Sequence, residues 1–323
     1  MCTAVTFHTK DHYFGRNLDL EYSYHETVTV TPRNYPFRFR NGTVLQNHYA
    51  MIGMAMVVDN YPLYYDATNE KGLSMAGLNF PGNAVFHPVK AQHDNIAPFE
   101  FIPWILGQCT TTQEAEIILN RINLADIPFS KEYPITPLHW IIADKTRAIT
   151  VESMADGLHI TENPVGVLTN NPPFSYHLYN LTNYMNITHA EPVNRFSDTV
   201  DLTPYSRGMG GIGLPGDLSS ASRFVRAAFT KLNSRCGDTE AESITQFFHI
   251  LGSVVQQNGC VQVGNGFEKT VYSSCCNTDS GVYYYTTYGN SQITGVSLFN
   301  ENLEGSEPIC YALVTEQQIR MEN

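Results

Sequence analysis

Met1-Cys2-Thr3-Ala4-Val5-Thr6-Phe7-His8, followed across Thr9-Lys10-Asp11 by His12-Tyr13-Phe14-Gly15-Arg16-Asn17-Leu18-Asp19, opens the 323-residue chain. Alternation around Val5 and Phe7, a polar turn and a second strand-like run predict a hairpin folded about Lys10. Such a hairpin returns positions 17 to 19 to Cys2 and brings Arg16 and Asp19 within its reach. Cys2 is small enough for an aminopeptidase to remove Met1, which would leave a thiol and a free α-amine on one residue. An unperturbed α-amine titrates at roughly 7.7 to 8.0, so near neutral pH it can take the thiol proton without a histidine. Arg16 would favour the thiolate and Asp19 would hold the amine. A buried small hydrophobe beside an ordinary strand-end ion pair is the competing reading; position 2, with both charges folded back on it, favours the nucleophile.

Composition narrows the function classes. Charged residues are 15% and aromatics 12% of the chain, as expected of a folded protein. A net charge of -12 without clustered Lys and Arg disfavours nucleic acid as a partner. No charged leader with an apolar segment opens the sequence, and no run approaches the roughly 18 apolar residues of a membrane span. The expectation is a cytoplasmic protein with no membrane partner. Seven scattered cysteines with no C-x-x-C suit free thiols in a reducing compartment. Among the 11 histidines there is no H-E-x-x-H, so neither a metal nor another cofactor is expected.

Further along, strands are expected at 25–32, 49–58 and 73–80, helices at 99–107 and 111–122, then short strands at 139–144, 148–153, 158–161 and 166–169. Thr111-x-x-Glu114 reads as a capping box. Helices at 220–232 and 242–255 precede a closing hairpin, 270–276 against 282–288, and last strands near 292–298 and 310–314. Blocks of strands separated by helix pairs favour a layered α+β fold over a doubly wound sheet, in one domain spanning 1–323.

Asn79 and Asn170 each stand where a strand gives way to a loop, from which an amide N–H can meet an oxyanion, although turn formation explains either one alone. Gly208-Met209-Gly210-Gly211-Ile212-Gly213 matches G-x-G-x-x-G, yet Leu214-Pro215-Gly216-Asp217 intervenes before any helix, so it reads as a loop. Asp217, Ser219 and Ser220 offer caps for the helix that carries Arg223. Leu18, Tyr22, Tyr24, Tyr61, Phe129 and Ile135 lie in or beside loops near early strand ends and would line a pocket for a bulky apolar ligand.

Together these residues resemble the choloylglycine hydrolase family of N-terminal-nucleophile hydrolases. The resemblance runs the length of the chain, through Met1-Cys2-Thr3, Phe14-Gly15-Arg16-Asn17-Leu18-Asp19, Gly77-Leu78-Asn79-Phe80-Pro81, Leu138-His139-Trp140, Gly166-Val167-Leu168-Thr169-Asn170 and Ser222-Arg223-Phe224. It implies a four-layer αββα sandwich, loss of Met1, and hydrolysis of the amide joining a bile acid to glycine or taurine. On that resemblance Cys2 is the nucleophile and its amine the proton shuttle. Arg16 and Asp19 position and polarise it, Asn79 and Asn170 serve the oxyanion, and Arg223 completes the polar cluster. It also implies a homotetramer, with residues from about 180 to 215 as an assembly arm. Penicillin V acylases are the related alternative; they tend to place Tyr where this chain has Asn79. A third reading is a binding protein that retains Met1 and turns nothing over.

Overall fold

The computed structural model describes residues 1–323 and is built on two antiparallel sheets. The first runs in the order Val167–Leu168, Cys2–His8, His12–Leu20, Lys269–Asn277, Val282–Thr287, Asn290–Ser297. The second runs Gly157–Glu162, Ala148–Met154, Leu138–Ala143, Ser74–Asn79, Tyr61–Asn69, Met51–Val58, Thr27–Thr31, Ile309–Ala312. Their inner faces pack on each other, and one apolar cluster joins Val5, Phe14, Ala76 and Ile141 to Phe224 and Phe247 of the helices beyond. Helices Ser220–Asn233 and Glu240–Gly252 cover the outer face of the six-stranded sheet. Phe101–Leu106 and Thr112–Leu119 cover the eight-stranded one, with Phe101 edge-on to Trp140. These are the four layers, helix, sheet, sheet, helix, that the resemblance implied.

Sequence alternation sets the geometry of the first hairpin. Cys2 pairs with Leu18 and Ala4 with Arg16, so Cys2, Arg16, Leu18 and Leu20 share the face turned to the second sheet. Thr3, Asn17 and Asp19 occupy the opposite face, toward the helices, where Asn17 Nδ2 donates to Leu251 O at 3.0 Å. A Cβ on residue 15 would lie 1.9 Å from Ser274 O, so only glycine lets the third strand close on the hairpin there. A register shift between Thr270 and Tyr272 then sends Thr270 to the Asp19 side and Tyr272 to the inter-sheet side.

Most expected elements are present, with boundaries shifted by a few residues. The largest departure is Tyr61, which was expected in a loop and instead begins the strand Tyr61–Asn69. Asp59 and Asn60 both have positive φ, the backbone of a two-residue hairpin turn, and this returns the chain from Met51–Val58. Ile122, expected on a helix face, belongs to a short strand, and Phe174–Asn180 forms a helix that strand and turn signals did not indicate. Thr111 Oγ1 accepts from Glu114 N, but Glu114 takes its own bonds from Thr110, so the box is only half formed. Asp217, rather than Ser219, serves the start of the Arg223 helix, accepting from Ser219 N and Ser222 Oγ. Residues 208–213 form a loop with one tight turn, Met209–Gly211.

Candidate active site

Cys2 lies at the inner end of a cavity of about 660 Å³ between the two sheets, lined by 25 residues of which 17 are hydrophobic. Arg16 and Asn79 share that end with it, and Leu18, Tyr22, Tyr24, Phe129 and Ile135 lie along the walls and mouth. Tyr61 does not line the cavity; it packs behind the wall against Phe99 and Phe129, 5.7 and 5.8 Å between ring centres. Its place at the start of a strand pulls it under the loop it was expected to share. Of the wall residues that pattern reading missed, Met56, Leu63, Tyr64 and Tyr65 come from the strands around that unforeseen turn.

Arg16 is fully buried and donates from Nη1 to Tyr65 O (3.0 Å) and Gly77 O (2.5 Å), both in the second sheet. Two carbonyls therefore fix the guanidinium while its positive charge stays beside Cys2. Burial opposes that charge, but Cys2, Tyr272, Asp66 and Asp19 around it hold the guanidinium above its ordinary range.

The opposite face of the hairpin holds the chain start. In the chain carrying Met1, Cys2 N donates to Asn170 Oδ1 at 2.7 Å. Arg223, fully buried, donates from Nη2 to the same Oδ1 (2.7 Å) and from Nη1 to Cys2 O (2.5 Å) and Thr3 Oγ1 (2.6 Å). Asp19 accepts from Thr270 Oγ1 at 2.6 Å through Oδ1, while Oδ2 has no hydrogen-bond donor and lies 3.9 Å from Arg223 Nη1. Burial drives the Asp19 carboxyl up, and Arg223 and the chain-terminal amine pull it back. Met1 extends the ladder, its amine donating to Asp19 O at 2.7 Å and pairing with Glu268, and burial lowers that amine below its ordinary value.

The two asparagines separate in role. Asn79 lines the cavity, and its side-chain amide makes no hydrogen bond within the protein, while its backbone O accepts from Asn170 Nδ2 at 2.7 Å. Asn170 is 4% exposed and off the cavity wall, with its amide oxygen on Cys2 N and Arg223. Asn170, expected to serve the oxyanion, is thus placed with its amide oxygen on the nitrogen of Cys2 and its amide nitrogen on Asn79 O. Two buried imidazoles secure the Asn170 loop, which sequence patterns gave no reason to expect. His139 bridges Glu152 Oε1 and Thr169 O, both at 2.9 Å, and His177 Nε2 contacts Asn170 O at 2.8 Å. Burial brings His177 down to about 4, so it is a neutral donor at that carbonyl.

A family described as linear amide C–N hydrolases, choloylglycine hydrolase family, matches residues 2–311. The chain is 57% identical over 319 residues to a bile salt hydrolase/transferase of Lactiplantibacillus plantarum, covering 98% of each. It is 40% identical over 323 residues to a bile salt hydrolase/transferase of Bifidobacterium longum, covering 97% of this chain and 100% of that one. The C2A mutant of conjugated bile acid hydrolase from Clostridium perfringens superposes with a TM-score of 0.92 at 36% identity, covering 100% of both chains.

Proposed function

Since the chain belongs to the choloylglycine hydrolase family of linear amide C–N hydrolases, we propose that its reaction is release of glycine or taurine from conjugated bile salts by Cys2 after loss of Met1. The observation that carries this reading is the mostly apolar cavity of about 660 Å³ that ends on Cys2, Arg16 and Asn79. Its size falls within the roughly 300 to 1,000 Å³ of small-molecule sites, and an apolar wall with one polar end suits a steroid body carrying an amide. No cofactor enters the scheme.

Removal of Met1 turns the Cys2 nitrogen from an amide with one hydrogen, already given to Asn170, into an amine with more than one. Asp19 Oδ2, left without a donor in the longer chain, is the acceptor for the added hydrogen. Burial at this end of the hairpin, which lowers the amine of Met1, favours the free base that a proton acceptor requires. The amine takes the Cys2 proton, the sulfur adds to the amide carbonyl, and the Asn79 amide N–H meets the oxyanion. Collapse breaks the C–N bond as the amine returns the proton to the departing nitrogen. Water, deprotonated by the same amine, then adds to the thioester and releases the bile acid. Arg16 keeps the sulfur face positive, while Arg223 and Asn170 fix the Cys2 backbone.

No helix is long and apolar enough to cross a membrane. A cytoplasmic homotetramer follows as part of the proposal, with the arm from about 180 to 215 as its contact. Met185, Phe196 and Tyr205 on that arm are 79, 84 and 83% exposed, an apolar display a second copy would cover. The deciding experiment compares kcat/KM of purified Met1-free protein for a glycine- or taurine-conjugated bile salt and for phenoxymethylpenicillin. A higher value for the bile salt supports the reading; a higher value for the penicillin overturns it.

A further inference from the structure

Asp66 lies on the strand Tyr61–Asn69, 1% exposed between the sheets, and does not line the cavity. Its carboxylate accepts from Tyr272 and Tyr283 hydroxyls, both at 2.7 Å, and more weakly from Ser274 Oγ at 3.4 Å. All three donors come from the other sheet, and no cation bonds it directly. Arg16 is tied instead to the neighbours of this group. Ser274 Oγ accepts the Arg16 backbone N–H at 3.1 Å, and the carbonyl of Tyr65, the residue before Asp66, accepts Arg16 Nη1 at 3.0 Å. Burial pushes the Asp66 carboxyl up from its ordinary value, and the Arg16 charge, then the two tyrosine hydroxyls, oppose that shift.

We infer that Asp66 is a positioning residue for Arg16: it braces Ser274 and the strand that carries the Tyr65 carbonyl against the other sheet, and its charge offsets part of the positive charge that the sulfur of Cys2 meets. The inference rests on Cys2 being the nucleophile. Around this set stand Arg16, Tyr272, Tyr283 and Cys276 at Asp66, Glu240 beyond Cys276, and Asp19 with Arg223 on the far face of the hairpin. Removing the Asp66 charge while keeping its shape strengthens the field of Arg16 on the sulfur. Loss of the brace at the same time degrades the alignment for attack.

Asp66→Asn in the Met1-free protein tests this in two arms. The first is the rate of iodoacetamide alkylation at pH 6, read by mass on the N-terminal peptide so that the other free cysteines do not contribute. The expected result is about a threefold faster reaction at Cys2 than in the parent protein. The second is hydrolysis, with kcat expected to fall about tenfold and KM to stay within about twofold, since Asp66 touches no cavity wall. Unchanged or slower alkylation overturns the charge role, and unchanged kcat overturns the positioning role. Should Asp66→Asn fail to fold, Tyr272→Phe and Tyr283→Phe each remove one donor, favour the neutral carboxyl, and are expected to shift both readouts the same way by less. The alkylation arm uses no substrate, so it remains readable even where the bile salt reading fails.

Discussion

The inner end of the cavity and its mouth are built differently. Cys2, Arg16, Asp19 and Arg223 are at most 3% exposed and sit on paired strands or a long helix, tied together by main-chain and side-chain bonds. Tyr22 and Tyr24 at the mouth are 58 and 39% exposed, on an irregular segment, and their hydroxyls contact each other at 3.1 Å. One region has its geometry fixed by register and buried charge; the other offers apolar surface that can adapt. On the proposed function, chemistry belongs to the first and substrate choice to the second, in line with the division between rigid scaffold and loop.

Breaking the inner end should cost most. Arg223→Met leaves the buried Asp19 carboxylate without its nearest cation and removes the clamp on Cys2 O. Unfolding in denaturant should report a loss of about 3 to 5 kcal/mol, and a loss under about 1 kcal/mol would show that the charges are not coupled. Asn79→Ala should leave stability nearly unchanged and lower kcat by about 10²- to 10³-fold, or about 2.7 to 4 kcal/mol, with little change in KM. A rise in KM alone would assign Asn79 to ground-state binding.

Acid should also act on the buried side before the mouth. His12 and His177 are each brought down by burial from 6.5 to about 4, so the unfolded chain binds protons that the folded chain refuses. Their contribution is complete above roughly pH 6.5 and is lost as pH falls through about 4, by up to about 3 kcal/mol each. Denaturation midpoints from pH 7 to 4 should follow that decline, with a shallower slope in His177→Gln; an unchanged slope would mean that this imidazole is charged when folded. The smallest effect is expected at the mouth. Phe129→Ala should raise KM about three- to tenfold with kcat within about twofold, and a kcat loss as large as that of Asn79→Ala would erase the distinction between the two regions.

How much of this was legible follows from sequence distance. The hairpin and the side of it each residue occupies are local facts, set by a period of two and a turn, so Cys2, Arg16 and Asp19 could be brought together from the sequence. Strand Tyr61–Asn69 was hidden because Pro62 interrupts its strand signal, though Asp59-Asn60 carries the turn signature that would have exposed it. Missing it put Tyr61 in a loop and left Leu63, Tyr64 and Tyr65 of the cavity wall unassigned. Arg223 lies 221 residues from Cys2, and no local pattern encodes such a contact; it came from the family resemblance alone. Asn170 was placed at a strand end, but which atom of its amide faces Cys2 depends on Arg223, Asn79 and two imidazoles arriving from four separate segments.

The central claim is that the sulfur at position 2 carries the acyl group in a chain that has lost Met1. Acid-quenching the protein during turnover of a glycine-conjugated bile salt and weighing its N-terminal peptide tests this directly. The expected peptide begins at Cys2 and has gained the mass of the bile acyl group. Turnover with that peptide unmodified, or with Met1 still attached, would contradict the claim.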